Sequence, residues 1–168
     1  MLIRPTTDED VAALSALVTA VARERLYLGS TRGFTLEQTR AYLVHLQESG
    51  GIALVAIEHD RLVGWIDVSR GPFEGLTHSG RLGMGLAVDA RGRGLGRLLL
   101  TRALAQAFGS GFDRVELEVF ASNTRAVALY RRTGFVEEGR RRCARKLDGV
   151  CDDIVMFGLL REEWRAST

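Results

Sequence analysis

The chain has 168 residues, a formal net charge of +2, 46% hydrophobic and 26% charged residues, enough to bury the core of one domain. No stretch is long and apolar enough to span a membrane, and so small a charge gives no ground for nucleic-acid binding. The first ten residues carry Arg4, Asp8, Glu9 and Asp10 without an apolar signal core, so the expected location is cytoplasmic.

Leu2 to Arg4 reads as a short strand stopped by Pro5. Thr6-x-x-Glu9 has the form of a capping box and precedes a helix with Val11, Leu14, Val18 and Val21 on one face. The pattern lapses between Arg25 and Gly33. A second box, Thr35-x-x-Gln38, opens a helix ending at Gly50-Gly51. Ile52 to Ile57 and Leu62 to Val68 form a hairpin across His59-Asp60. After the Gly71–Gly75 loop a strand runs to Val88, and a helix follows with Leu95, Leu98, Leu99, Leu104 and Phe108 turned inward. Strand Arg114 to Phe120, a helix from Thr124 to Thr133 and a hairpin of Phe135 to Leu147 with Val150 to Leu160 complete the chain. Antiparallel runs first and interleaved helices later predict an α/β fold with a mixed, mostly antiparallel sheet flanked by helices, as a single domain over 1–168.

Cys143 and Cys151 lack metal-ligand spacing, and His45, His59 and His78 are scattered, so no metal site is expected. Asp148-Gly149 reads as a two-residue turn whose register sets Cys143 opposite Ile154 and Cys151 opposite Lys146. That register predicts free thiols. Arg140 to Arg142, Arg145 and Lys146 form a basic arm on this hairpin, either a solvated face or a surface that approaches an acidic group.

The segment most indicative of chemistry is Leu86-Ala87-Val88-Asp89-Ala90-Arg91-Gly92-Arg93-Gly94-Leu95-Gly96-Arg97. An apolar strand enters a turn of alternating Arg and Gly that opens a helix. Glycines let backbone approach a ligand closely, and a helix N-terminus offers unpaired N–H groups at its positive end. Together they make a phosphate cradle, with Arg91, Arg93 and Arg97 adding charge. It is not a P-loop, because no Gly-Lys-Ser/Thr follows. Nor is it the dinucleotide fingerprint, whose third glycine would fall at Arg97.

The segment resembles the acetyl-CoA motif of the GNAT superfamily of N-acetyltransferases, Gln/Arg-x-x-Gly-x-Gly/Ala, met by Arg91, Gly94 and Gly96. Downstream, Glu116 to Phe135 resembles the same superfamily's strand, Asn, Ala, Leu-Tyr, Gly-Phe signature, with Asn123, Leu129-Tyr130 and Gly134-Phe135 at its anchors. The resemblance spans Ile52 to Leu159. It implies acetyl-CoA as cosubstrate, with its pyrophosphate at Arg91 to Arg97, its pantetheine arm along the backbone of Leu86, Ala87 and Val88, and an oxyanion-type N–H near Leu86. The side chains of Leu86 and Val88 are also expected to pack in the core. Asn123 is either a helix N-cap or a partner of the arm or acceptor. Tyr130 matches the group that supports the departing thiolate. Glu118 stands where ribosomal-protein N-terminal acetyltransferases carry a glutamate base, and Glu116 shares its strand face. Asp67, Glu74, Asp152 and Asp153 are further carboxylates available to a cationic amine. The implied activity is direct acetyl transfer to a primary amine of a small molecule or peptide. A catalytically idle acyl-CoA-binding or sensing module is the alternative, and a homodimer is compatible with the sequence.

Overall fold

The computed structural model describes residues 1–167; Thr168, the last residue of the expected domain, lies outside the described residues. Strand β1 (Leu2–Pro5) leads to helices α1 (Val11–Arg23) and α2 (Leu36–Glu48). The hairpin β2 (Ile52–Glu58) and β3 (Arg61–Arg70) follows, then β4 (Ser79–Leu86), α3 (Leu95–Gly109), β5 (Arg114–Phe120) and α4 (Thr124–Arg132). The hairpin β6 (Val136–Leu147) and β7 (Val150–Leu160) and helix α5 (Arg161–Ser167) end the chain. The strands form a seven-stranded sheet ordered β1-β2-β3-β4-β5-β7-β6. Every neighbouring pair is antiparallel except β4 and β5, so the fold is the mixed, mostly antiparallel α/β sheet expected. Among the described residues no helix is long and apolar enough to cross a membrane.

Strand alternation sorts the two faces. A Cβ on Gly64 of β3 would meet Leu99 of α3, whereas Asp67 of β3 receives the Tyr42 hydroxyl of α2. Helix α3 therefore covers the face of Gly64, Ile66 and Val68, and α2 covers the face of Trp65, Asp67 and Ser69. Leu99, Leu100, Ala103, Leu104 and Ala107 of α3 are fully buried, while Leu98, expected inside, is exposed. A Cβ on Gly96 would stand 3.5 Å from side-chain atoms of Leu129 and Leu86, so α4 lies beside α3 over the end of β4.

The capping contact before α1 lies one residue later than its expected position. The N–H and hydroxyl of Thr7 donate to Asp10 at 2.8 and 3.0 Å, and Arg4 of β1 holds the same carboxylate at 2.6 and 2.8 Å. Arg4 keeps the Asp10 carboxyl below the usual carboxylate range. This contact between β1 and the start of α1 is thus in force at neutral pH and is lost as acid protonates Asp10. The second box forms as expected, with Thr35 and Gln38 exchanging bonds of 3.0 and 3.1 Å.

The β6–β7 hairpin corrects the thiol expectation. Lys146 pairs with Cys151 as the turn dictates, but the ladder is interrupted between Arg141 and Arg145, so that Arg141 rather than Cys143 faces Ile154. Within this bulge Cys143 adopts φ 48°. The extra residues swing Cys143 across the ladder until its Cα lies 4.8 Å from that of Cys151, and the two form a disulfide. Turn chemistry specifies register only while the ladder is regular, and a bulge breaks it. The inference of a reducing compartment from free thiols loses its basis. Thiol titration of the protein unfolded without reductant should detect no free thiol, and two after reduction; two from the outset would show the bond unformed.

Candidate active site

The site grows from a parting of two strands. Parallel pairing of β4 with β5 is confined to Ser79–Arg81 against Arg114–Glu116. Beyond it β4 stays with β3 as far as Leu86, and β5 stays with β7 as far as Phe120. From Leu82 onward the strands are no longer paired to each other, and an opening lies between them. The Ala87 N–H donates to the Val63 carbonyl at 2.9 Å, which fixes the alternation of backbone groups along β4. Gly83, Gly85 and Ala87 direct theirs toward β3; Met84 and Leu86 direct theirs toward the opening.

Arg91 anchors this end of β4. Its Nε and Nη2 donate to the Leu86 carbonyl at 3.1 and 2.9 Å, and its Nη1 and Nη2 donate to Glu24, just beyond α1, at 2.7 and 2.5 Å. The guanidinium also lies 4.7 Å over the Tyr27 ring. Rather than presenting a free charge to a phosphate, Arg91 ties the α1 end to the strand. With the Leu86 carbonyl occupied, its N–H is left as the donor facing the opening. Ala87 has both backbone groups engaged, since its carbonyl accepts from Ala90. Strand β4 stops before Val88, which enters a 3₁₀ turn and is 72% exposed, so its expected core role does not hold.

The cradle itself has the expected form. Gly92 and Gly94 adopt φ 76° and 83°, and no other part of the chain comes within 4 Å of where a Cβ would stand on either. Leu95, buried in the core, fixes the start of α3, and the first-turn N–H groups there have no helical carbonyl to bond. Arg93 is committed to Glu58 at 2.7 and 2.9 Å. Arg97 is exposed and makes no ion pair among the described residues. It is the uncommitted cation of the three arginines.

On the α3–α4 side, Asn123 caps α4: its side-chain oxygen accepts from the Ala126 N–H at 3.2 Å. Tyr130 is buried against Phe135 and Phe157, with ring centroids 5.9 and 6.2 Å away. Its hydroxyl makes no hydrogen bond with the described residues, and burial pushes the phenol above its ordinary range, which keeps the proton on. Phe157 pairs with Leu117, and Leu117 alternates with Glu116 and Glu118, so Tyr130 and the two glutamates lie on opposite faces of the sheet.

The opposite face carries the acids. Glu116 accepts from Arg114 at 3.1 Å; Glu118 is paired with Arg81 at 3.1 Å and with Arg141. Asp67 lies in register with Gly83, and the Trp65 ring covers Gly85. The Tyr42 hydroxyl donates to Asp67 at 2.6 Å, yet burial pushes that carboxyl up to about 6. Asp152 instead accepts from the Ser122 N–H and hydroxyl, and Asp153 from the Cys143 N–H at 2.8 Å. Those two acids fasten the hairpin. The hairpin reaches the α1 end through Asp148, which accepts from Arg25 at 2.6 Å, and through Arg145, which donates to the Arg25 carbonyl. Nothing local in the sequence marks Tyr42, whose partner Asp67 lies on β3, two strands farther along the chain. Nothing marks Glu24 either, one acid among many.

The acetyltransferase (GNAT) family pattern matches residues 15–135. Mycothiol acetyltransferase of Beutenbergia cavernae is 52% identical over 52 residues, 31% of this chain and 18% of that protein, so the chain spans about a fifth of that relative's length. N-alpha-acetyltransferase MAK3 of Arabidopsis thaliana is 34% identical over 103 residues, 61% of this chain and 53% of that one. Ribosomal-protein-alanine N-acetyltransferase from Brucella melitensis superposes with a TM-score of 0.89 at 28% identity, covering 95% of this chain and 99% of that one. A phosphinothricin acetyltransferase from Sinorhizobium meliloti, solved with acetyl-CoA, has a TM-score of 0.90 at 16% identity over 95% and 87% of the two chains, a likeness of fold. The matched span includes both the glycine turn after β4 and the Asn-capped helix after β5, and by it the chain belongs to the GNAT family of acetyltransferases, enzymes of acetyl-CoA-dependent acetyl transfer.

Proposed function

We propose that residues 1–168 form one catalytic unit that transfers the acetyl group of acetyl-CoA directly to a primary amine of a small molecule or peptide, within a ternary complex. The observation that carries this reading is the opening between β4 and β5, with a hydroxyl donor on one face and carboxylates on the other. Acetyl-CoA supplies the activated thioester. Gly92, Gly94, the first turn of α3 and Arg97 hold its pyrophosphate, and the backbone of Met84 and Leu86 pairs with the extended arm in the manner of an added strand. The Leu86 N–H polarises the thioester carbonyl. Tyr130 donates to the sulfur as charge develops. An ordinary phenol near ~10 and thiol near ~8.5 make full proton transfer uphill by roughly 2 kcal/mol, and burial of Tyr130 widens that gap. Its role is therefore a hydrogen bond to the thiolate. The amine enters from the face of Asp67, Glu116 and Glu118, and its proton leaves through a carboxylate there. The disulfide occupies both cysteines, so no thiol is offered for an acetyl-enzyme.

Two outcomes check the division of roles. Arg97→Glu should weaken acetyl-CoA binding in calorimetric titration by about tenfold or more, roughly 1.4 kcal/mol, with the fold retained. The same reversal at exposed Arg102, farther along α3, should change it less than about threefold; equal losses would remove the cradle assignment. Tyr130→Phe should lower kcat by ~10²-fold while leaving acetyl-CoA affinity in place. Release of CoA thiol with an amine panel covering amino acids, polyamines and N-terminal peptides tests the reading as a whole. Binding without turnover would mark an idle acyl-CoA-binding module.

A further inference from the structure

We propose that Asp67 is the proton acceptor for the incoming amine, held over Gly83 by the Tyr42 hydroxyl; this rests on the acetyl-transfer reading above. The other acids of this face are already committed. Glu118 is paired with Arg81 and Arg141, Glu116 with Arg114, and Asp152 and Asp153 fasten the hairpin. Asp67 makes no ion pair among the described residues, and its hydrogen bond comes from a neutral hydroxyl.

Beneath Asp67, strand β4 contributes no side chain to the floor. A Cβ on Gly83 would stand 3.3 and 3.4 Å from the two carboxylate oxygens, and Gly85 is the next residue of β4 on the same face. Both belong to the part of β4 that has left β5. At Gly83 and Gly85, β4 therefore places no side chain of its own between the Asp67 carboxylate and the opening, where the Leu86 N–H awaits the thioester carbonyl. The Trp65 ring lies over Gly85, and Arg81, the preceding residue of that face, reaches Glu118 on β5. The Trp65 ring over Gly85 gives the passage an apolar wall, which favours a neutral amine once its proton has gone.

The surroundings also suit proton transfer. The register partners of Asp67 are Ala53 on β2 and Gly83 on β4, neither charged. Tyr42 faces it from α2, with Ser69 and Arg81 grouped around that hydroxyl. Helix α1, also packed on β3, turns Leu14, Leu17 and Val21 into the core. Desolvation outweighs the Tyr42 bond and pushes Asp67 up to about 6. It then holds a proton about a hundredfold better than an ordinary aspartate near ~3.9, and remains ionised at neutral pH. In the step itself, one proton passes from the ammonium nitrogen to Asp67. The freed nitrogen pair forms the C–N bond at the thioester carbonyl as the C–S bond breaks. The sulfur keeps that electron pair and accepts a hydrogen bond from Tyr130. The nitrogen gives its second proton to water as water protonates the sulfur, and Asp67 returns the first proton to solvent, so that one proton is released overall.

The test measures kcat/KM against pH with acetyl-CoA and two amine probes, an alanine-terminated peptide and spermidine. Activity should fall on the acid side near pH 6, because only the ionised carboxylate accepts a proton. Asp67→Asn should remove that limb and lower kcat/KM by ~10²–10⁴-fold, with acetyl-CoA affinity intact. Glu118→Gln should retain the limb whatever it does to the rate. Tyr42→Phe, which deletes a bond favouring the carboxylate, should move the limb to higher pH, a shift that loss of packing alone would not produce. Should Glu118→Gln abolish the limb while Asp67→Asn keeps it, the inference is overturned and acetyl transfer stands. If neither probe is acetylated by the unaltered protein, the transfer reading falls and the Asp67 assignment with it. A carboxyl carbon NMR titration of Asp67 gives an independent reading, and an ordinary aspartate midpoint there would also overturn the proposal.

Discussion

The early parting of β4 from β5 is the constraint on which the site depends. A sheet gains by continuing its ladder, and backbone groups left unpaired inside a protein are costly unless water or a ligand meets them. Here the ladder stops after Arg81 and Glu116, although both strands run on. Each strand is kept on its own course by its outer neighbour, β3 for β4 and β7 for β5. Arg91 then fastens the β4 end by bonding the Leu86 carbonyl and Glu24 together. Hydrogen bonds to charged groups contribute ~1.5–3 kcal/mol each, enough to hold one carbonyl out of a ladder. The edge left open has the geometry of a missing strand, and an extended arm is what fits such an edge.

From this opening the division of labour follows. Period-two alternation sends the glutamates of β5 to one face and Leu117 to the other, where it supports Phe157 and, through it, Tyr130. A hydroxyl that stays protonated by burial therefore sits across the sheet from acids that meet solvent and cations. The same alternation on β4 turns Met84 and Leu86 toward α3 and α4, and on the acid side leaves Gly83 and Gly85 as a floor without side chains, over which Asp67 and the Trp65 ring lie. One strand thus serves as backbone donor at its edge, core on one face and passage on the other.

The local features of this architecture were legible in the chain itself. The glycine turn, the Thr35–Gln38 box, the Asn123 cap and the Lys146–Cys151 register all arise from interactions within a few residues. Features that depend on distant partners were not. Arg91 and Arg93 looked like free phosphate ligands until Glu24 and Glu58 came from other elements to meet them. Val88 continued an apolar run but lay past the end of the ladder. The β6 bulge joined Cys143 to Cys151 because ladder irregularities leave no periodic trace in sequence. In the sequence Asp67 is one acid among several, and only the folded chain buries it and brings the Tyr42 hydroxyl of α2 to it.

Backbone amide NMR during titration with coenzyme A tests the central claim most directly, since it reports the strand edge and the helix start independently of turnover. The account predicts that the amides of Met84 and Leu86, together with those of the first turn of α3 from Leu95 to Arg97, shift and gain protection from solvent exchange. The alternate amides of Gly85 and Ala87, bonded toward β3, should gain no protection. Protection of Gly85 and Ala87 instead, or shifts confined to other parts of the sheet, would contradict a ligand arm seated in the β4–β5 opening.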